Sequence, residues 1–148
     1  MKVYLGTDHA GFELKEKVKV FLIEKGYAVE DCGAHTFDKL DDYPDFVAKA
    51  ARGVAKDTDA FGIVFGKSGA GECIVANKID GVRSFLGINK ENVRLARQHN
   101  DANVLSLGSA FVTPQEANEL VEVFLHTLFS DEERHKRRIG KIRKLEKE

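Results

Sequence analysis

The sequence has little of several features that mark specialised proteins. Its 148 residues contain no tryptophan, one methionine, two prolines and two cysteines. Cys32 and Cys73 lie far apart and outside any CxxC or metal-ligand spacing, which favours a reduced, cytoplasmic protein. No apolar run approaches the roughly 20 residues that a membrane-spanning helix needs. Asp8 interrupts any signal-peptide core, so we expect neither membrane insertion nor secretion.

An excess of charge of one sign is also missing. The chain has 23 basic and 24 acidic residues and a net charge of −1. A general nucleic-acid binder is usually basic overall, so we expect no nucleic-acid partner. The hydrophobic fraction of 43% is that of a globular protein, and the length predicts one domain over residues 1–148.

Strand-like and helix-like segments alternate along the whole chain. The segment at residues 60–65 is apolar throughout, which is typical of a strand that is covered on both faces of a parallel sheet. Residues 113–116 and residues 130–133 each form a capping-box pattern that predicts the start of a helix. The chain is therefore predicted to be an α/β sandwich with a five-stranded parallel sheet. Its strands are expected at residues 3–6, 27–32, 60–65, 82–86 and 103–107.

A glycine-rich loop follows the third predicted strand: Gly66-Lys67-Ser68-Gly69-Ala70-Gly71. Three glycines before a helix let backbone N–H groups converge on a phosphate or an oxyanion, although a tight turn alone would also need them. The loop is not a phosphate-binding P-loop, because Phe61 stands where that pattern needs its first glycine. The dinucleotide-binding glycine pattern is absent as well.

Titratable residues lie at the predicted ends of several elements. Glu72 directly follows the loop, where a carboxylate either complements the helix dipole or acts as a general base. Asp8-His9 follows the first strand, at the edge of the sheet where ligands of open α/β proteins bind. His99 lies near a predicted helix end, where capping is the commoner role and proton transfer the alternative. No group of residues has metal-ligand spacing, and we expect no metal.

The last predicted helix is strongly basic at its start. Arg134 and Arg138 lie four residues apart and could grip one phosphate jointly, whereas the simpler interpretation is a solvated helix face. An RNA-binding role for this segment is disfavoured by the acidic residues before it. The thin apolar stripe of Ile139, Ile142 and Leu145 is expected to pack on a partner subunit.

Six motifs taken together resemble the family of ribose-5-phosphate isomerase type B and the related galactose-6-phosphate isomerase subunits. The resemblance covers essentially the whole chain. The motifs are Asp8-His9-Ala10-Gly11, Asp42-Tyr43-Pro44, the glycine-rich loop with Glu72, Ala76-Asn77-Lys78, the segment from Arg97 to Asn103, and Arg134-His135-Lys136-Arg137-Arg138.

This resemblance implies a Rossmann-like three-layer sandwich that forms a homodimer, or a homotetramer, with each active site built from two subunits. The C-terminal helix would reach the partner subunit. The implied reaction interconverts ribose 5-phosphate and ribulose 5-phosphate through an enediolate, without a cofactor. One branch of the family has a cysteine base at the position of Gly66. This chain resembles the other branch, in which Glu72 is the base and Ser68 assists it.

The resemblance also implies roles for the remaining motif residues. His99 would open the sugar ring, and the amides of residues 66–71, which include Lys67, Gly69, Ala70 and Gly71, would stabilise the enediolate. Sugar oxygens would be bound by Asp8, Tyr43 and Asn100, and phosphate by His9, Arg134 and Arg138.

Two positions depart from the family pattern. Many members have a phosphate-binding arginine where this chain has Ala110, and Lys67 is not the residue expected in the loop. Substrate identity therefore has alternatives: an isomerase of a hexose 6-phosphate of the allose or galactose type, or a phosphate-binding module without catalysis. The carboxylate of Glu72 favours an enzyme, because it would repel a phosphate bound in the loop.

Overall fold

A computed structural model describes all 148 residues as an α/β structure built on one sheet. The five strands are all parallel and lie in the order β2-β1-β3-β5-β4. They are β1 (Lys2–Thr7), β2 (Ala28–Asp31), β3 (Phe61–Gly66), β4 (Ser84–Leu86) and β5 (Val104–Gly108). The predicted parallel, Rossmann-like sandwich is confirmed, with strand bounds that differ from the expected ones by one or two residues.

Six helices connect and cover the strands. They are α1 (Phe12–Glu24), α2 (Tyr43–Lys56), α3 (Ala70–Asn77), α4 (Lys90–Asn100), α5 (Pro114–His126) and α6 (Glu133–Leu145). A single 3-10 turn, His9–Gly11, precedes α1. None of the helices combines the length and the apolar content that crossing a membrane requires.

The side chains of β3 show why an entirely apolar strand is suited to the centre of this sheet. Ile63 and Phe65 point into a larger core formed with α1 and α5, whereas Val64 points into a second core formed with α2 and α3. All three side chains are fully buried. Both faces of the sheet are thus covered by helices, as the lack of polar alternation predicts.

The two capping boxes have different outcomes. Thr113 is the N-cap of α5, and its hydroxyl accepts a hydrogen bond from the backbone N–H of Glu116 at 3.1 Å. The prediction at Ser130 is wrong, because α6 begins later and its N-cap is Glu132 without a side-chain bond. The Ser130 hydroxyl lies 2.6 Å from His135 Nδ1 and accepts a hydrogen bond from the N–H of Glu132 at 3.3 Å, so it contacts residues around the helix start without being its N-cap.

The apolar stripe of α6 is only partly free for a partner. Ile139 is 4% exposed and packs on its own chain, so the expectation that it packs on another subunit is wrong. Ile142 and Leu145 are exposed and line a groove of about 520 Å³ together with residues of β4 and α4.

The chain order of the strands positions the site. After β1 the chain turns to one side of it to form β2, and then crosses to the other side to form β3. Such a reversal leaves a crevice between the two helix layers at the carboxyl ends of the strands, where ligands bind in open α/β sheets. Thr7, Gly66 and Gly108 end the three adjacent strands β1, β3 and β5 at this edge.

Candidate active site

The conformation of the glycine-rich loop is stabilised by hydrogen bonds to its backbone carbonyl groups. Backbone N–H groups of Ser109 and Ala110 donate to the carbonyls of Gly66 and Lys67 at 2.8 and 3.0 Å. The buried hydroxyl of Ser106 donates to the carbonyl of Gly69 at 2.7 Å. In a trans peptide unit the N–H points opposite to the C=O. Because the carbonyls of Gly66 and Lys67 accept hydrogen bonds from the segment after β5, the N–H groups of the same peptide units point away from that segment. The N–H groups of Lys67 and Ser68 donate to no backbone carbonyl and are available to an anion.

The carboxylate of Glu72 occupies the space beside Gly66. A Cβ atom on Gly66 would overlap the carboxylate carbon and both of its oxygens, so the missing side chain of Gly66 is the pocket for Glu72. Glu72 is only 4% exposed although it lies in the first turn of α3. A helix-dipole partner needs no such burial, and the geometry therefore favours a chemical role.

Burial raises the pKa of Glu72 above its ordinary value, and the nearby charge of Asp8 adds to the shift. The nearby backbone N–H groups of Glu72 itself and of Gly69 oppose this rise, because they favour the charged form. The carboxylate is therefore a stronger base than an exposed glutamate. A base with its pKa moved toward neutrality is better matched to abstracting a weakly acidic carbon-bound proton.

Tyr43, the first residue of α2, packs against the end of the glycine-rich loop at Gly71. A Cβ atom on Gly71 would lie 2.6 Å from the Tyr43 hydroxyl oxygen, so this glycine admits the tyrosine to the site. Ser68 and Lys67 are exposed, and the Ser68 hydroxyl accepts a hydrogen bond from the N–H of Ala70 at 3.1 Å. Tyr43 thus packs against the start of α3, and Lys67 and Ser68 are exposed polar residues of the loop just before it.

Asp8 and His9 complete this edge of the sheet. Asp8 is nearly buried, and its carboxylate accepts hydrogen bonds from the N–H groups of Ala10 and Gly11 at 3.0 and 3.4 Å. His9 pairs with Asp41, a residue that belongs to none of the sequence motifs. No local pattern distinguishes Asp41 there, because its contact depends on how a loop of the chain folds over β1.

Asp8, His9 and Asp41 form a group whose donor atoms lie within 4.8 Å of one another. Spacing of this kind is compatible with a metal ion. His9 and Asp41 are, however, already joined by a hydrogen bond that satisfies one nitrogen and one oxygen of the group. We assign no metal to these residues.

A second set of predicted site residues lies far from Glu72 within one chain. His99 and Asn100 end α4, which leads into the amino end of β5, whereas Glu72 lies beyond the carboxyl end of β3. His135, near the start of α6, stacks on His99 with ring centroids 4.4 Å apart. This places Arg134 and Arg138 on the same side as His99.

The length of the strands separates the two sets. A strand of five or six residues spans roughly 15–20 Å at about 3.3 Å per residue. His99, Asn100, Arg134 and Arg138 are all exposed at the amino edge. One chain thus carries two half-sites of complementary chemistry, a carboxylate with free amides at one edge and imidazole with guanidinium groups at the other.

The fold and the residues around Glu72 define an α/β protein with a buried carboxylate and free backbone amides at the switch point of its sheet. Residues 3–142 match the model of the Ribose/Galactose Isomerase family. Over 147 residues the chain is 44% identical to ribose-5-phosphate isomerase B of Mycolicibacterium paratuberculosis, an alignment that covers 99% of this chain and 92% of that protein.

Solved structures agree with this match. The crystal structure of ribose-5-phosphate isomerase B from Mycoplasma genitalium with bound ribulose-5-phosphate has a TM-score of 0.94 and 42% identity, and covers 99% of this chain and 97% of its own. The enzyme from Clostridium thermocellum has the same TM-score with 40% identity, over 99% and 98% of the two chains. The chain belongs to the Ribose/Galactose Isomerase family.

Proposed function

We propose that this protein is an aldose–ketose isomerase that interconverts ribose 5-phosphate and ribulose 5-phosphate through an enediolate. The observation that carries the proposal is the Glu72 carboxylate, buried in the space that Gly66 leaves and adjoining free backbone amides. The relatives at 40–44% identity are ribose-5-phosphate isomerases B, and the one from Mycoplasma genitalium holds ribulose-5-phosphate.

The central step moves one proton between neighbouring carbons. Glu72 removes the proton from C2 of the open-chain aldose and returns it to C1, while the proton on the C2 hydroxyl moves to the C1 oxygen. The negative charge that develops on the carbonyl oxygen meets the N–H groups of the loop at residues 66–71, which stabilise it as an oxyanion hole does. Ser68 lies beside the same amides and assists the proton transfers.

Ring opening precedes this step and is assigned to His99. An imidazole can take the proton of the anomeric hydroxyl and return one to the ring oxygen, because it can both accept and donate a proton. Asp8, Tyr43 and Asn100 are proposed to bind the hydroxyl and carbonyl oxygens of the sugar. His9, Arg134 and Arg138 are proposed to bind the phosphate, and no cofactor takes part.

These assignments require two copies of the chain. The two half-sites lie at opposite edges of one sheet, so Glu72 of one subunit can meet His99, Arg134 and Arg138 only if a second subunit supplies them. We therefore propose a homodimer with two shared sites, or a tetramer made of such dimers. Both cysteines are free, in keeping with a cytoplasmic location.

An isomerisation assay over a panel of sugar phosphates tests the function. Ribose 5-phosphate should give the highest kcat/KM, and allose 6-phosphate, galactose 6-phosphate and unphosphorylated ribose should give lower values. A hexose 6-phosphate preferred over ribose 5-phosphate would reassign the substrate within the same chemistry. No turnover of any of these sugars, with phosphate still bound, would instead indicate a binding module.

A further inference from the structure

Asp41 makes two contacts with His9 through a single oxygen atom. Its Oδ1 accepts a hydrogen bond from the backbone N–H of His9 at 2.9 Å and lies 2.7 Å from the ring nitrogen Nδ1. Asp41 comes from the loop before α2, so its contact with His9 is formed by tertiary folding. The Asp41 side chain is 9% exposed and the His9 side chain 32% exposed.

This geometry determines which nitrogen of His9 is available. Because a carboxylate oxygen lies at Nδ1, that nitrogen carries a proton, and Nε2 is the nitrogen left for a ligand. The ring of Phe37 packs edge-on against the imidazole, with centroids 6.2 Å apart, and further restricts its orientation. His9 is therefore held in one tautomer and one direction.

The charges around His9 are all negative. Asp8 precedes it in the chain, Asp41 bonds to it, and Asp38 lies within electrostatic reach. The hydrogen bond to Asp41 is the largest cause of a raised pKa for His9, and partial burial opposes it. Asp41 Oδ2 is buried and has no hydrogen-bond partner, so His9 is the group that offsets the charge of this carboxylate.

We propose that Asp41 is a positioning residue that holds His9 as a cation with its Nε2–H directed at the phosphate group of the substrate. The inference rests on the proposed function. A dianionic phosphate brought next to His9 would otherwise meet the negative charges of Asp8, Asp38 and Asp41. The imidazolium reverses that local charge, and a charge-assisted hydrogen bond then binds the phosphate.

The sign of the pH dependence follows from the raised pKa. The pKa of His9 in the folded protein lies above the ordinary 6.5. Below this raised pKa, His9 is protonated and binds phosphate. Its contribution to phosphate affinity is lost as the pH rises through the raised pKa. Asp41→Asn keeps an oxygen that can accept from the His9 backbone but removes the charge. The pKa of His9 then falls, and phosphate binding is lost at a lower pH.

The ratio of KM in Asp41→Asn to KM in the wild type should therefore depend on pH. It should be largest, about tenfold for a lost charge-assisted hydrogen bond, between the two His9 pKa values, and should decrease on either side, where both proteins have His9 in the same state. Taking a ratio removes the titration of the sugar phosphate itself, whose second pKa is about 6. The value of kcat should change little, because phosphate is bound throughout the reaction.

Nuclear magnetic resonance gives a second readout that needs no activity. The imidazole signals of His9, assigned by their loss in His9→Gln, should titrate at a lower pH in Asp41→Asn than in the wild type. Inorganic phosphate should shift these signals in the wild type at neutral pH and less in the variant. Asp38→Asn is the matched control, because this exposed carboxylate has no hydrogen bond to His9 and its removal should change both readouts only slightly.

The outcomes separate the two proposals. An unchanged His9 pKa in Asp41→Asn, or a KM ratio that is constant across pH, would overturn the positioning role and leave the isomerase assignment standing. A wild type that isomerises no sugar phosphate would overturn the proposed function, while the titration of His9 would still test the pair.

Discussion

At the scale of single residues, Gly66 and Glu72 compete for one volume. The Glu72 carboxylate lies where a side chain at position 66 would be. The family resemblance includes a branch with a cysteine base at the position of Gly66. In this chain such a side chain would overlap Glu72, so the two kinds of base are alternative occupants of the same space. The glycine thus provides the space for the Glu72 carboxylate as well as forming part of the loop.

Glu72→Gln should retain substrate binding and reduce kcat by about 10²–10⁴-fold, the range expected for a positioned acid–base group. In the wild type, kcat should fall on the acid side through a pKa above the ordinary glutamate value of 4.5, because burial favours the protonated form and only the carboxylate is a base. Steady-state kinetics across pH measure both effects.

Cysteine variants provide the control for this experiment. Cys73→Ser should keep most of the activity, since no thiol base is invoked. Alkylation at Cys32 should be slow and harmless, because burial raises the pKa of this thiol to about 11. A loss in Cys73→Ser comparable to that in Glu72→Gln would contradict the assignment of the base.

Gly66→Ala should displace Glu72 and destabilise the protein by about 1–3 kcal/mol, as overpacking of a filled site does. In a Glu72→Ala background the same substitution should cost much less, because the overlapping carboxylate is gone. Urea unfolding of the wild type, both single variants and the double variant measures the coupling. Equal costs in the two backgrounds would show that Glu72 does not occupy this space.

Lys67 and Ala110 are neighbours in the fold, since the N–H of Ala110 donates to the Lys67 carbonyl at 3.0 Å. The exposed lysine can therefore supply the positive charge that the family resemblance would place on an arginine at position 110. We expect Lys67→Ala to raise KM for ribose 5-phosphate and Ala110→Arg to lower it, each by up to about tenfold with a smaller change in kcat. Unchanged KM values in both variants would mean that neither position contributes to phosphate binding.

At the scale of elements, the start of α6 shows where local sequence rules stop being sufficient. The pattern at residues 130–133 satisfies the capping box, yet the Ser130 hydroxyl contacts His135 and the helix begins at Glu133. His135 is 4% exposed and stacks on His99. The start of α6 thus depends on the contact of His135 with His99 of α4, and a local sequence pattern cannot predict such a contact.

His135 makes the stability of this helix junction depend on pH. Burial lowers its pKa below the ordinary 6.5, and the neighbouring His99 adds to the shift. The neutral form is favoured on folding, so its stabilising contribution is complete above pH 6.5 and is lost as the pH falls toward the folded pKa. His135→Phe should keep the stacking and remove this loss, so the difference in free energy of unfolding between about pH 7.5 and pH 5.5 should be smaller than in the wild type. Urea unfolding at the two pH values tests this; an unchanged difference would assign it to other groups.

At the scale of the whole molecule, the sequence predicted the sheet, its covered faces and the edge where Asp8, the glycine-rich loop and Glu72 meet. These follow from periodicity and from the rule for strand ends, and both are local or topological. It did not predict the pairing of Asp41 with His9 or the burial of Ile139. Both depend on where a loop or a terminal helix folds back, which is determined by contacts between distant residues.

In the proposed dimer, the position of His99 relative to Glu72 is determined by how the two chains pack together. Within one chain the two residues lie at opposite edges of the sheet, so neither alone forms the proposed site. In a two-fold symmetric dimer with antiparallel chains, the edge of one chain that carries Glu72 would face the edge of the other chain that carries His99. The symmetry repeats this contact, so the dimer would contain two identical sites. Each site would then contain Glu72 of one chain and His99 of the other.

Mixing two inactive variants tests this arrangement directly. Glu72→Gln and His99→Asn homodimers should each have low kcat. After subunit exchange, a heterodimer has one site with both defects and one site with neither. With equal amounts and random pairing, roughly half of the dimers are heterodimers, so activity should recover to roughly a quarter of the wild-type value. Native mass spectrometry verifies that exchange has occurred. If the heterodimer is present and activity does not recover, Glu72 and His99 do not act together across the interface.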